Sequence, residues 1–425
     1  MPQRSQPSQP SRQSSSRPPV RRAHIAMVGT PMVSHVLPSL EIIRELVARG
    51  HRVTYANTDH AAALIEPTGA AFVRYASTLP VATNDWPQDP IAASSLFLDD
   101  AIAVLPQLRA VYDDDPADLY LYDVGAYAAR ALAESQGRDI VQLSPTFVGW
   151  EGAQEEFNAA FAALPGVDVY RERFAAWLAE CGAVTTDMDE FSGRPRRALA
   201  MIPRAMQPHA DRVDDAAVTF VGPCIGGRKA QPAPGQETRQ ETGRETGQEG
   251  WTRPAGAEKV LLVSLGSAFT RQPEFYRRCV AAFGELPGWH VVLQIGRYTD
   301  PAELGEVPPT VEVRSWVPQL EILEQADAFV THAGMGGSSE GLFTGVPMIA
   351  VPQGAEQFLN ADRLVELGVG RRIDTADATP AALRTALLEL TSDPRVAARS
   401  AALRAAARGE GGAVRAADLI EERLA

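Results

Sequence analysis

From Ala23 onward, short apolar runs alternate with stretches of helical spacing. "HIAMVG" reads as a strand, "LPSLEIIRELVARG" as a helix ending on Gly50, and "HRVTYAN" as a second strand. Between the first strand and the helix, "VSHVLP" (33–38) reads as a loop that places a histidine at the mouth of the strand. "AAALIEPTG" and "AFVRY" repeat the unit, and "LYLYDV" (119–124) and "DIVQLSP" (139–145) flank a helical segment over 126–136. Strands that alternate with helices predict a parallel sheet covered on both faces.

The pattern stops at residues 228–250, "RKAQPAPGQETRQETGRETGQEG", which repeats Glu-Thr with Gln, Gly and Arg and has no large apolar residue. Such a stretch buries too little surface to offset its ordering entropy, so a flexible linker is expected. After it the alternation restarts with "KVLLVSLG", "PEFYRRCVAAFGEL", "HVVLQIG", "VEVRSW", "PQLEILEQA", "DAFVTH", "GSSEGLFTG", "PMIAVP" and "AEQFLNADRLVELG". The expected organisation is a disordered tail (1–22), a doubly wound α/β domain (23–227), the linker (228–250) and a second such domain (251–425) with closing helices from Pro380 onward. Two domains of this kind face each other across a cleft lined by the carboxyl ends of their strands, where ligands of open α/β sheets bind.

Bulk properties narrow the class. The 425 residues suit two or three domains of roughly 100–200 residues each. A net charge of −13 excludes a general nucleic-acid surface, which needs a basic face. Only Lys229 and Lys259 among the 40 basic residues are lysines, a bias that reflects coding composition. Cys181, Cys224 and Cys279 are far apart, with neither disulfide nor zinc spacing, as in a reducing cytosol. No apolar run reaches the roughly 18–20 residues of a membrane helix. The first 22 residues are rich in Ser, Pro, Gln and Arg, lack an apolar core, and read as a tail rather than a leader. A cytoplasmic protein with small-molecule partners is expected.

"THAGMGGSSEG" (331–341) follows a strand and opens a helix. Its Gly334, Gly336 and Gly337 permit a tight turn and close approach to a ligand, and a helix start offers free N–H groups to an anion. Alone, the run fits a plain strand–turn–helix corner equally well, and a single His332 is more often structural. Three other loops converge on the same sheet edge. "WVPQ" brings an indole, Trp316, and Gln319; "PQGAEQ" brings Glu356 and Gln357, suited to sugar hydroxyls; "LGSAFT" brings Ser267.

In this order and spacing, "WVPQ", "HAGMGGSSEG" and "PQGAEQ" resemble the nucleotide-sugar signature of family-one inverting glycosyltransferases with the GT-B fold. With "LVARGHRVTYA", "LGSAFTRQPEFYRRCV" and "TVEVRSWVPQL", the sequence is most similar to the macrolide glycosyltransferases that inactivate antibiotics with UDP-glucose. The resemblance runs from about Ala23 to the C-terminus, outside both low-complexity stretches. It implies that Trp316 stacks on uracil, that Gln319 and Glu340 reach the ribose, and that His332, Gly337, Ser338 and Ser267 hold the diphosphate. It assigns Glu356 and Gln357 to the hydroxyls of an intact hexose. Plant relatives carry Trp and Asn where this chain has Met335 and Gly336, a departure shared by bacterial members that bears on donor choice.

The same resemblance explains the histidine at the strand mouth. The family pattern H-x-x-P matches His35-Val36-Leu37-Pro38, and Asp123, ending "LYLYD", matches the family's partner aspartate. A neutral imidazole near pKa 6.5 takes the proton of an attacking hydroxyl, and a carboxylate on its other nitrogen stabilises the imidazolium. Bland readings are loop capping by His35 and helix capping by Asp123. Close relatives read His-Gly-His-Val-Asn-Pro here, so the earlier histidine and the asparagine are absent. No cofactor or essential metal is expected, because a helix N-terminus handles the leaving charge.

Leu79, Trp86, Phe147 and Trp150 are candidates for an apolar acceptor pocket, although each residue type is individually more common in a core. His209 is assigned no role. The expected function is transfer of glucose from UDP-glucose to a hydroxyl of a macrolide or similar lipophilic product, inactivating it in the sense of antibiotic resistance. The alternatives are a biosynthetic transferase using a dTDP-deoxysugar, a nucleotide-sugar epimerase and a non-catalytic homologue. Oligomeric state is not indicated.

Overall fold

The structure, a computed structural model, describes residues 22–83, 85–225, 251–266, 270–354 and 356–424, without the side chains of 154–158. The 228–250 linker, Ser267 and all of the expected tail but Arg22 lie outside the described residues.

The first domain contains β1 (His24–Val28), β2 (Arg52–Asn57), β3 (Ala71–Arg74), β4 (Leu119–Asp123), β5 (Asp139–Ser144), β6 (Ala198–Ala200) and β7 (Val218–Phe220). They form one parallel sheet in the order β3-β2-β1-β4-β5-β6-β7. The second contains β8 (Lys259–Ser264), β9 (Trp289–Gln294), β10 (Val311–Arg314), β11 (Ala328–Thr331), β12 (Met348–Ala350) and β13 (Gly370–Arg372), ordered β10-β9-β8-β11-β12-β13 and also parallel. The alternation therefore produces the two doubly wound domains it predicts, because strands buried on both faces need helices on both faces.

In each sheet the chain starts at the centre, winds outward, and returns to the other side. The strand order therefore reverses between β1 and β4, and again between β8 and β11. A crevice opens at such a switch point because the helices after the two strands leave toward opposite faces. His35 follows β1 and Asp123 ends β4, while His332 directly follows β11. Both candidate sites occupy the switch points of their own sheets.

The domains are joined by more than the linker. One apolar cluster contains Ala198, Ile202 and Phe220 of the first domain with Leu262, Phe329 and Met348 of the second. The last helix, Gly412–Glu421, lies C-terminal to the second domain but packs on the first helix, Val33–Ala48, where Ala416, Ala417 and Ile420 join Leu40, Ile43 and Leu46. Arg49 Nη1 reaches Asp418 Oδ1 and Glu421 Oε2, both at 2.7 Å, and Arg423 Nε reaches Asp139 Oδ2 at 2.7 Å. Sequence periodicity finds this helix but carries no information about which domain it covers.

Two expectations change. "VSHVLP" is the opening of the helix Val33–Ala48 rather than a loop. The amides of His35 and Val36 already bond to Met32 O, at 2.9 and 3.1 Å, so the first turn closes ahead of Pro38. Pro38 forfeits one hydrogen bond to the carbonyl of the exposed Ser34, where solvent can serve instead. The second concerns the apolar helix Pro90–Tyr112, whose length and composition pass as those of a membrane span although two aspartates interrupt it. Its Leu98, Ala101, Val104, Leu105 and Leu108 belong to the first domain's core, and Asp100 accepts from Ser77 Oγ and Thr78 N at 2.7 and 2.6 Å.

Candidate active site

In the first domain, early closure of the helix places His35 in its first turn, directly over the end of β4. His35 Nδ1 lies 2.9 and 3.0 Å from the two oxygens of Asp123. The imidazole is 23% exposed and the carboxylate 2%, so the charged partner is sealed while the ring stays partly open to solvent. Nε2 has no hydrogen-bond partner among the described residues. Asp123 also accepts from Thr30 Oγ1 at 2.5 Å.

Electrostatics follow from this geometry. Burial opposes charging of His35, but the Asp123 charge and hydrogen bond, helped by the Glu356 carboxylate of the other domain, outweigh it and hold the pKa above 6.5. Burial likewise opposes charging of Asp123; His35, the Thr30 hydroxyl and the Val124 N–H overcome it, so the carboxyl lies below 3.8. The pair is suited to carry a proton on the imidazole with its counter-charge built in.

In the second domain, the loop between β11 and the helix Met335–Thr344 makes the cradle. The left-handed residue is Ala333 (φ 60°), not one of the three glycines, which corrects the expectation that Gly334, Gly336 and Gly337 make the turn. Thr331 Oγ1 accepts the Ala333 N–H at 3.1 Å, and Asn360 Nδ2 donates to Ala333 O at 2.9 Å, holding the strained residue from both sides. Gly334 is the helix N-cap, and Gly336 and Gly337 lie in the first turn. Their use is room. A Cβ on Gly334 would sit 2.4 Å from His332 Nε2 and one on Gly266 2.7 Å from His332 Cε1, so the ring is clasped between two backbones.

His332 Nδ1 is enclosed and has no partner among the described residues, and burial pushes the imidazole down to about 4. It is a neutral ring at physiological pH. Ser338 Oγ and Ser339 Oγ are also buried without partners among the described residues. The helix has no side-chain cap and no acidic residue in its first turn, so its N–H groups and dipole are available to an anion. Orphaned polar atoms around an uncapped helix start fit a bound diphosphate.

The remaining donor candidates gather on the same edge. Trp316, partly exposed, lies just beyond β10, and Gln319 opens the helix Gln319–Leu323. Gln319 Nε2 donates to Glu340 Oε2 at 2.7 Å, joining the two candidates for the ribose. Glu356 is exposed as the residue before the helix Gln357–Glu366. Gln357 is buried, and its Oε1 accepts the amides of Gln353 and Gly354 at 2.8 and 3.3 Å, so its oxygen serves the loop.

The acceptor candidates fall into separate places. Leu79 is buried, and Trp86 stacks on Phe97 with centroids 6.1 Å apart. Phe147 and Trp150 pack on the cluster that joins the domains, with Trp150 against His209 at 5.4 Å. Sequence reasoning did not single out Thr30, Ala333 or Asn360. A threonine, an alanine and an asparagine have no spacing signature; only the left-handed turn and the buried hydrogen bonds reveal them.

Comparison with known proteins places this geometry. The family model described as "Erythromycin biosynthesis protein CIII-like, C-terminal domain" matches residues 279–417. Oleandomycin glycosyltransferase of Streptomyces antibioticus is 53% identical over 409 residues, 95% of this chain and 91% of that protein. An NDP-glycosyltransferase, YjiC, of Bacillus licheniformis is 35% identical over 413 residues, 95% of this chain and 98% of that protein. The crystal structure of the glycotransferase of kitacinnamycin superposes with a TM-score of 0.85 at 50% identity, covering 96% of this chain and 100% of the other. Near-complete coverage at this identity, on two parallel sheets each with its own switch point, makes the chain a family-one glycosyltransferase of the GT-B fold, close to the macrolide glycosyltransferases.

Proposed function

We propose that the chain is an inverting glucosyltransferase that moves glucose from UDP-glucose to a hydroxyl of a macrolide or similar lipophilic natural product, masking that hydroxyl and thereby inactivating the compound. The observation that carries the reading is the His35–Asp123 pair, with Nδ1 held at 2.9 Å and Nε2 without a partner among the described residues. The acceptor O–H gives its proton to His35 Nε2 as its oxygen bonds to the anomeric carbon. The bond from that carbon to the diphosphate oxygen breaks on the opposite face, and UDP leaves with the electron pair. The products are the β-glucoside, UDP and one proton, held on the imidazole and stabilised by Asp123.

The leaving charge meets the start of the helix Met335–Thr344 and hydroxyls such as Ser338 Oγ. His332, being neutral, contributes a hydrogen bond rather than a positive charge. This arrangement needs no metal ion, and the acceptor would enter as a lipophilic molecule in a cytoplasmic setting.

A specific observation favours keeping a dTDP-deoxysugar donor as the second reading. Gln357 Oε1 is engaged by its own loop, so the Glu356–Gln357 pair offers a sugar fewer groups than the motif implies. Mass spectrometry of the purified protein with oleandomycin and equal UDP-glucose, dTDP-glucose and a dTDP-deoxysugar separates the two. A hexosyl product from UDP-glucose supports the proposal; a product from the deoxysugar donor alone overturns its donor assignment.

A further inference from the structure

We infer that Thr30 is a positioning residue of the transfer reaction, its hydroxyl fixing the Asp123 carboxylate in the orientation His35 requires. The inference rests on the proposed role of His35 and Asp123 and goes beyond it.

A single imidazole N–H shared between two carboxylate oxygens leaves that carboxylate free to turn about its Cβ–Cγ bond. Nδ1 of His35 is shared in this way, at 2.9 and 3.0 Å. Further directional bonds remove the freedom: one comes from the Val124 backbone N–H, and the other is a side-chain hydrogen bond to a single oxygen. Thr30 Oγ1 supplies it to Oδ2 at 2.5 Å, from a residue 2% exposed to one that is 1% exposed, where no water competes.

Thr30 is itself held. Asn57 Nδ2, at the end of β2, donates to the carbonyls of Gly29 and Thr30 at 3.3 and 3.1 Å. The Tyr75 hydroxyl donates to Gly29 O at 2.6 Å. The Thr30 methyl faces Gly125, where any Cβ would come within 3.1 Å of it. The hydroxyl is thereby directed at Asp123. Asn57, Thr30, Asp123 and His35 form one relay of support across the ends of β2, β1 and β4 to the helix that carries the base. The other titratable groups near Asp123 are the phenols of Tyr55 and Tyr75, kept neutral by burial, and the charge facing His35 from the second domain is Glu356.

The test compares Thr30→Val, which keeps the shape and removes the donor, with Thr30→Ser, which keeps the donor. With UDP-glucose and oleandomycin, Thr30→Val should lower kcat about tenfold through misalignment of the base. Its KM for UDP-glucose should stay within about twofold, because donor contacts lie in the other domain. Its acid limb should move to lower pH as the turned carboxylate supports the imidazolium less. Thr30→Ser should restore most of both. Proton NMR titration of His35, assigned against His35→Ala, reads the same downward shift without any acceptor, and Thr30→Ala carries both readouts if the valine variant does not fold. An unchanged kcat and titration in Thr30→Val, or equal impairment in Thr30→Ser, overturns the inference. His35→Ala in the same assay separates the two levels: near wild-type transfer sinks the dyad itself, whereas an inactive His35→Ala beside an unaffected Thr30→Val sinks only Thr30.

Discussion

A Cβ added to Gly334 would lie 2.4 Å from Nε2 of His332, closer than any side-chain carbon can approach. His332 thus occupies the space a side chain at 334 would need. Gly334→Ala must push the ring out of its clasp, and UDP affinity, read by calorimetry, should fall by at least tenfold while the fold persists. Gly336→Ala is the control for the fold: nothing lies within 4 Å of its Cβ. There a helix-favouring residue should raise stability by about 0.5–1 kcal/mol.

Ala333 holds a left-handed conformation that costs an L-residue about 1–2 kcal/mol. Ala333→Gly relieves that strain but adds chain entropy to the unfolded state. The expected net gain is about 0.5–1 kcal/mol in urea unfolding. Loss of stability would mean that the methyl packs better than the strain costs.

The pH dependence of transfer follows from the raised pKa of His35. A general base must be deprotonated, so kcat/KM should fall as pH drops through a value above 6.5. Asp123→Asn removes the charge that raises it; the inflexion should move down and the rate fall by about 10²–10⁴. Glu356→Gln removes the smaller, cross-cleft contribution, so its inflexion should move the same way by less. A pH-independent rate over 5.5–8 would remove His35 from the chemistry.

How far these features were legible in the sequence depends on the range over which each cause acts. Alternating strands and helices are local, so both sheets and the placement of His35, Asp123 and His332 at strand ends could be read directly. The helix start at Val33 is not legible, because Pro38 looks like a first-turn residue and only the Met32 carbonyl bonds show the earlier closure. The sequence points the turn at the glycines, the usual left-handed residues, whereas Asn360, 27 positions away, secures an alanine at 333. The return of the last helix to the first domain rests on partners such as Leu40 and Arg49, more than 360 residues earlier, and no periodicity encodes such a pairing.

Arg130 illustrates a long-range constraint that matters for stability rather than chemistry. Its guanidinium is 2% exposed and donates to Glu134 Oε1 at 2.9 Å, Phe191 O at 2.6 Å and Arg194 O at 3.1 Å. Glu134 in turn accepts from Thr185 N at 2.8 Å. Arg130→Met leaves a buried carboxylate without its cation, which should cost about 3–5 kcal/mol. Arg130→Met combined with Glu134→Gln should recover part of it. Equal destabilisation in the single and double variants would assign the loss to packing on Phe191 instead.

Glu410 gives the seam between domains its own pH response. Its Oε1 accepts the Arg204 N–H at 2.9 Å, its Oε2 is buried without a partner among the described residues, and a Cβ on Gly222 would meet that oxygen at 2.6 Å. Burial pushes the carboxyl up to about 7, although the Arg204 amide and the charges of Arg204 and Arg415 pull the other way. A folded-state pKa above the unfolded one means that the folded chain binds the extra proton. The stability it contributes is complete below about 4.5 and is lost as pH rises through about 7. Thermal unfolding of the wild type should therefore shift to lower temperature between pH 6 and 8. Glu410→Gln carries the neutral form at every pH, so its midpoint should change less over that interval and exceed the wild type at pH 8 by on the order of 2 °C. A variant whose pH response matches the wild type would place the origin of any loss elsewhere, and would leave Glu410 ionised and solvated at the seam.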